Sequence, residues 1–83
     1  MNLNDGALIA FALDGYKISD QKANAGDPTI IYNGFVNRNG GWYIMEQNTT
    51  NGTYRYSKSN SGYTTAFAAR ESGTYDYFYN VFN

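Results

Sequence analysis

The groups in this chain that could do covalent or proton-transfer chemistry are its carboxylates. Asp14, Asp20, Asp27, Glu46, Glu71 and Asp76 are the candidates. Two of them acting together would be a glycosidase-like pair, in which the separation of the two groups decides the mechanism. Nothing supports them. The chain has no histidine and no cysteine, so the commonest general base and the best nucleophile are both missing. Most of the six stand beside Gly, Pro or Ser in expected turns, and Glu46 falls on an expected strand. They read as solvated turn and surface groups. The expectation is a protein that is not an enzyme, with no catalytic residue, no cofactor and no metal site, since scattered carboxylates would be the only ligands.

Contact chemistry is better supplied. Nine Tyr, five Phe and one Trp stand among 83 residues. Tyrosine offers a large rigid face with a hydroxyl that tolerates water, which suits strands and contact surfaces. A flat strand face carrying Trp42, Tyr54 and Tyr56 could stack on sugar rings, with Arg55 or Glu46 adding hydrogen bonds. Set against this, a single Trp in so short a chain reads as core, with Ile44 beside it. Tyr43 and Met45 then point to the opposite strand face. Together with Tyr54, Arg55 and Tyr56 they are the expected contact residues. Arg70 shares a helix face with Phe67 and could stack on Tyr75 or Tyr77 or pair with Asp76, as a clamp within the chain or as a partner contact. Asn48-Thr49-Thr50 and Asn51-Gly52-Thr53 match the N-glycosylation pattern, but turn chemistry accounts for them.

These residues need elements to position them. Thr29 to Val36, Trp42 to Gln47 and Thr53 to Lys58 are β-branched and aromatic, and Asn37 to Gly41 and Asn48 to Gly52 separate them with residues that tolerate left-handed backbone. That pattern predicts a three-stranded antiparallel meander. Thr64 to Glu71 is rich in helix formers, with Thr64 or Thr65 as cap and Ser72-Gly73 as terminator. Tyr75, Phe78, Tyr79 and Phe82 fall at helical spacing behind a Thr74 cap, with Asp76 near the helix's positive end. Before the meander, Asp20 to Pro28 reads as a loop. Ala7 to Leu13 fits either a helix or a strand, and Asp14-Gly15 followed by Tyr16-Lys17-Ile18 favours strand–turn–strand. The expected fold is β-rich (α+β): a meander domain over residues 27–83, covered by one or two short C-terminal helical turns. Residues 1–26 form an N-terminal arm or hairpin that could dock on a neighbour.

Size and charge narrow the partners. A chain this short sits near the lower limit of independent stability, and without disulfides or a metal it must lean on other copies or other proteins. Six basic residues against seven acidic ones are spread along the chain without a run, which argues against nucleic acid. The apolar stretch Ala7 to Leu13 is far short of the roughly 20 residues that cross a bilayer, and no signal-peptide pattern precedes it. A soluble protein without a membrane partner is expected.

Tyr32-x-Gly34-Phe35, Gly41-Trp42-Tyr43-Ile44-Met45 and Tyr54-Arg55-Tyr56-x-Lys58 are followed by Tyr63-x-x-Ala66-Phe67-x-x-Arg70 and Thr74-Tyr75-Asp76-Tyr77-Phe78. In this combination the chain resembles a group of short, uncharacterised virion-associated structural proteins of tailed bacteriophages. The likeness runs from Asp27 to Phe82, and many of those proteins carry Trp where this chain has Phe67. The resemblance implies a virion component, present in several copies at a tail, neck or capsid surface among other virion proteins, and in the host cytoplasm before assembly. Three readings follow: a minor structural or decoration protein, a small carbohydrate-binding module aiding adsorption to host glycans, or a host-directed protein with one bacterial target.

Overall fold

Three asparagines set the hairpins. The computed structural model describes residues 13 to 82. Asn37 Oδ1 accepts the backbone N–H groups of Asn39 (3.0 Å) and Gly41 (2.7 Å). Asn48 Oδ1 accepts those of Thr50 (3.1 Å) and Asn51 (3.0 Å). Asn24 Oδ1 does the same for Gly26 (2.8 Å) and Asp27 (3.1 Å). In each case the short side chain imitates a backbone turn. Gly40 (φ +88°) and Gly52 (φ +69°) complete two of these turns in the left-handed region, which other residues rarely adopt.

The three turns join four strands: β1 (Lys17–Ala23), β2 (Ile30–Val36), β3 (Trp42–Asn48) and β4 (Thr53–Ser57), in one antiparallel sheet of order β1-β2-β3-β4. The expected meander is β2 to β4. The fourth strand is a correction: the sequence reading placed a loop from Asp20, but the chain stays extended to Ala23 and the loop begins at Asn24. Every residue of β1 is exposed, so it has no apolar alternation to reveal it. Opposite β2 the register slips between Ile18 and Asp20, a bulge that bends this edge. Gly15 (φ +83°) forms the expected turn before it, closed by the Tyr16 N–H on the Leu13 carbonyl at 3.0 Å. The first strand of the hairpin expected there, with Ile9 and Phe11, lies outside the described residues.

After β4 come α1 (Tyr63–Ala68), a 3-10 turn (Arg70–Ser72) and α2 (Phe78–Val81). Two expected caps do not form. Helix α1 begins at Gly62 with no side-chain cap bond, not at Thr64 or Thr65. Its first residue, Tyr63, lays its ring against Gly34 of β2 and donates to Asp20 Oδ2 of β1 at 2.7 Å. One side chain thereby fastens the helix across two strands. The second correction concerns Thr74 to Tyr77, which is extended rather than helical. Asp76 exchanges both backbone bonds with Tyr56 of β4, at 2.7 and 2.9 Å. The helix starts after Tyr77, where the Asp76 carboxylate accepts the Tyr77 N–H at 2.7 Å.

Passing along the outer edge of β4, the tail reaches both faces of the sheet. On one face Tyr32, Trp42 and Ile44 pack under Phe67, with Ile30, Val36, Tyr63, Ala66 and Tyr75 around them. On the other, Phe35, Tyr43, Met45 and Tyr56 pack with Leu13, Tyr16, Tyr54, Val81 and Phe82. Trp42 and Ile44 are core as expected, and Trp42 Nε1 donates to the Ser61 carbonyl at 2.8 Å.

A methyl group at Gly34 would stand inside the Tyr63 ring and hydroxyl. Gly34→Ala should therefore lift Tyr63 off the sheet and cost about 1–3 kcal/mol in urea unfolding. In combination with Tyr63→Ala the two losses should add to clearly less than their sum, because the clash has only one cause.

Candidate functional site

The structure separates the expected contact residues instead of gathering them. Tyr43 and Met45 are 0 % exposed and Tyr56 6 %. These three are core, which corrects their assignment to a contact face. The reason is that the second sheet face is not left to solvent: the ring of Phe82 meets Tyr43 edge-on at 5.2 Å, and Phe78 meets Tyr56 likewise at 5.2 Å. Trp42 lies on the opposite face from Tyr54 and Tyr56, so the three do not form one stacking platform. Tyr54 is half-buried on the second face.

Arg70 works within the chain. Its guanidinium lies 4.9 Å from the Phe67 ring centre, and its Nη1 donates to the Phe67 carbonyl at 3.0 Å. Tyr75 does not stack on it but donates its hydroxyl to the Arg70 carbonyl at 2.8 Å. Tyr77 is covered by Arg55 instead, so the ring that Arg70 meets is Phe67 of α1 and none of the expected partners.

The carboxylates are spread over separate tasks. Asp20 accepts from Tyr63, which holds its carboxyl below the usual range, with Ser19 adding a second bond. Asp27 accepts from the Thr29 hydroxyl at 2.6 Å and is lowered by it. Glu71 Oε2 accepts the Ala25 N–H at 2.9 Å, tying the 3-10 turn to the first hairpin loop. Among the described residues no three acidic side chains converge in a way that could hold a metal ion, and no helix is long and apolar enough to cross a membrane.

Exposed beside the sheet are aromatic rings of which the sequence pattern had put Phe78 and Tyr79 on a helix face and offered Tyr77 as a stacking partner of Arg70. Tyr77, Phe78 and Tyr79 are 46 %, 41 % and 66 % exposed. The Tyr77 and Tyr79 rings stack at 5.4 Å with 14° between their planes. The Arg55 guanidinium sits 4.2 Å from the Tyr77 ring centre, while its Nη1 donates to the Tyr54 carbonyl at 2.9 Å. Arg55 is thus the one expected contact residue that joins this surface. The extended Asp76 segment creates it: Tyr77 leaves the β4 edge beside Arg55, and the first turn of α2 presents Tyr79. The signal available beforehand was the run of three consecutive aromatics, too many for one helix face to bury.

A second concavity, of about 550 Å³, is lined by Tyr16, Gly41, Trp42, Lys58 and Asn60 among others. It offers no open indole face, because Trp42 is only 9 % exposed and its N–H is already committed.

Comparison of the chain with protein-family models, with curated proteins and with solved structures gives no match.

Burial raises the phenols of the core. Tyr43 is pushed up to about 12 by desolvation, despite the Leu13 N–H donated to its oxygen at 2.8 Å. Tyr63 also rises to about 12, through burial and then through its bond to Asp20. Tyr32, Tyr56 and Tyr75 are raised by burial as well. Because the folded state favours the neutral phenols, their stabilisation is complete below pH 10, the unfolded value, and is lost as pH rises through about 12. The unfolding free energy from urea titrations should fall across that window, by up to about 2–3 kcal/mol from Tyr43 alone. Phenolate absorbance should show a late-titrating class that merges with the rest on unfolding.

Proposed function

We propose that this chain is a non-enzymatic contact module, a minor structural or decoration protein of a bacteriophage particle, which docks on another virion protein through Arg55, Tyr77 and Tyr79. The observation that carries the reading is the Arg55–Tyr77–Tyr79 stack, whose two rings are exposed. The central strands are covered on both faces by the chain's own aromatics, and among the described residues these two rings, with Phe78 and with Ile18 of β1, are the large apolar side chains left exposed. Arginine and tyrosine are also the residues enriched at the energetic centres of interfaces. Stacking holds the Tyr77 ring in place before any partner arrives, and this lowers the ordering cost of docking. The resemblance to virion-associated proteins supplies the kind of partner.

Mass spectrometry of purified particles of the encoding phage should find the chain, in more than one copy. Tyr79→Ser should leave the melting behaviour close to the parent, since this side chain is mostly solvent-exposed. The same change should lower incorporation into particles, with an affinity loss of tenfold or more. Absence of the parent chain from particles would sink the reading. Titration with host oligosaccharides tests the glycan-binding alternative separately, and saturable binding abolished by Tyr79→Ser would move the surface to that class.

A further inference from the structure

The two edges of the sheet are treated differently. The outer edge of β4 is taken by Asp76, whereas nothing among the described residues pairs with the outer edge of β1. Antiparallel partners alternate between pairs that exchange backbone bonds and pairs whose N–H and C=O groups point away from each other. The Asn24 N–H donates to the Ile30 carbonyl at 2.8 Å, which puts Asn24 at an inward-bonding position opposite Ile30, although the Ile30 N–H turns to the Asp27 carbonyl at 3.0 Å. Counting back along the register, Ala23 opposite Ile31 and Gln21 opposite Asn33 are unbonded pairs. The backbone groups of Gln21 and Ala23 therefore point to the open edge. Gln21 does not cover its own edge: its side chain turns inward and donates to Asn33 Oδ1 at 2.6 Å.

We infer that this edge pairs with β1 of a second copy of the chain, antiparallel about a two-fold axis through Gln21. Charge selects that register. With Gln21 opposite its counterpart as a bonded pair, Asp20 of each copy faces Lys22 of the other. Both contacts fall at unbonded positions, where side chains approach most closely. Shifting the axis to Asp20 sets two carboxylates opposite each other, and shifting it to Lys22 sets two ammonium groups opposite each other. Like charges directly opposed destabilise a sheet. Edge charges and a bulge ordinarily ward off strand addition. Here their spacing rejects the neighbouring registers and leaves one self-complementary. The bulge at Ser19 confines the new ladder to the stretch around Gln21. The inference extends the assembly reading to a named partner and rests on it only for the premise that the chain works by contact.

The full chain should show a monomer–dimer equilibrium by sedimentation. Lys22→Glu, which opposes two acids, and Ala23→Pro, which removes an outward donor, should each weaken the dimer at least tenfold while Tyr79→Ser leaves it intact. Amide exchange on the unaltered chain needs no variant to fold: Gln21 and Ala23 should become protected as concentration rises. A chain that stays monomeric to about 1 mM would overturn the inference, as would a dimer that survives both edge variants. So would Gln21 and Ala23 amides that exchange freely in the dimer, or whose protection is independent of concentration. Absence from particles with the dimer intact would overturn only the virion reading, and presence in particles as a monomer only this one.

Discussion

The backbone exchange between Tyr56 and Asp76 is the contact on which the rest of the architecture depends. Strand β3 carries four consecutive buried side chains, Trp42 to Met45, so both faces of the sheet are apolar and both need cover. A tail that stayed on one face would leave the other open. The Asp76 segment lies along the edge of β4 and lets the chain change sides there. Tyr75 falls on the face of Tyr32, at 5.6 Å between rings, and Phe78 and Phe82 on the face of Tyr56. The same two hydrogen bonds satisfy an edge that would otherwise attract another strand.

Within that frame the aromatics do the work that a larger hydrophobic core does elsewhere. Each fully buried large side chain contributes about 1.5–3 kcal/mol, and edge-on or offset ring pairs add about 0.5–1.5 kcal/mol. Tyrosine brings a hydroxyl that needs a partner when buried, and the chain provides partners outside the tyrosine's own element. Tyr43 accepts from Leu13, Tyr32 accepts from Asn24, Tyr63 donates to Asp20 and Tyr75 donates to Arg70. The polar ends of these core residues thereby help to position α1, the 3-10 turn and the first loop.

The strands of the central meander were legible because β-branched and aromatic runs alternate with Asn/Gly turns. The fate of their side chains was only half legible. Reading Trp42 and Ile44 as core and Tyr43 and Met45 as contact assumes one wet face, but a continuous run such as Trp42-Tyr43-Ile44-Met45 is the pattern of a strand buried on both sides. Strand β1 was legible only at its start, Lys17 and Ile18 after the Asp14-Gly15 turn; its continuation to Ala23 was not, because an edge strand with both faces in solvent has no periodicity to display. Asn24, in the same role as Asn37 and Asn48, was the overlooked sign of a hairpin there. The helical spacing of Tyr75 and Phe78 was coincidental: the Asp76 bridge places them on opposite faces, a long-range pairing that local spacing cannot encode. Of the residues expected at a contact face, Arg55 lies over the exposed Tyr77 ring; Tyr77 and Tyr79 are exposed where the sequence pattern had put them in a helix.

The two kinds of edge give the chain a direction. At β4 the tail closes the sheet and displays Arg55, Tyr77 and Tyr79; at β1 no described residue pairs with the outer edge, and its charges are spaced to match a second copy of themselves. Pairing through β1 makes an eight-stranded sheet with the two β4 strands about 34 Å apart. Because the axis through Gln21 is perpendicular to the sheet, both aromatic surfaces keep the same relation to their shared faces. Two docking surfaces held at a fixed span bind a repetitive lattice far more firmly than either would alone, provided the lattice repeat matches that span. On the proposed reading, a short chain with one exposed aromatic group among its described residues would gain avidity in this way without a larger interface. The strand edge and the aromatic surface are then two parts of one device, the first setting valency and the second supplying the contact.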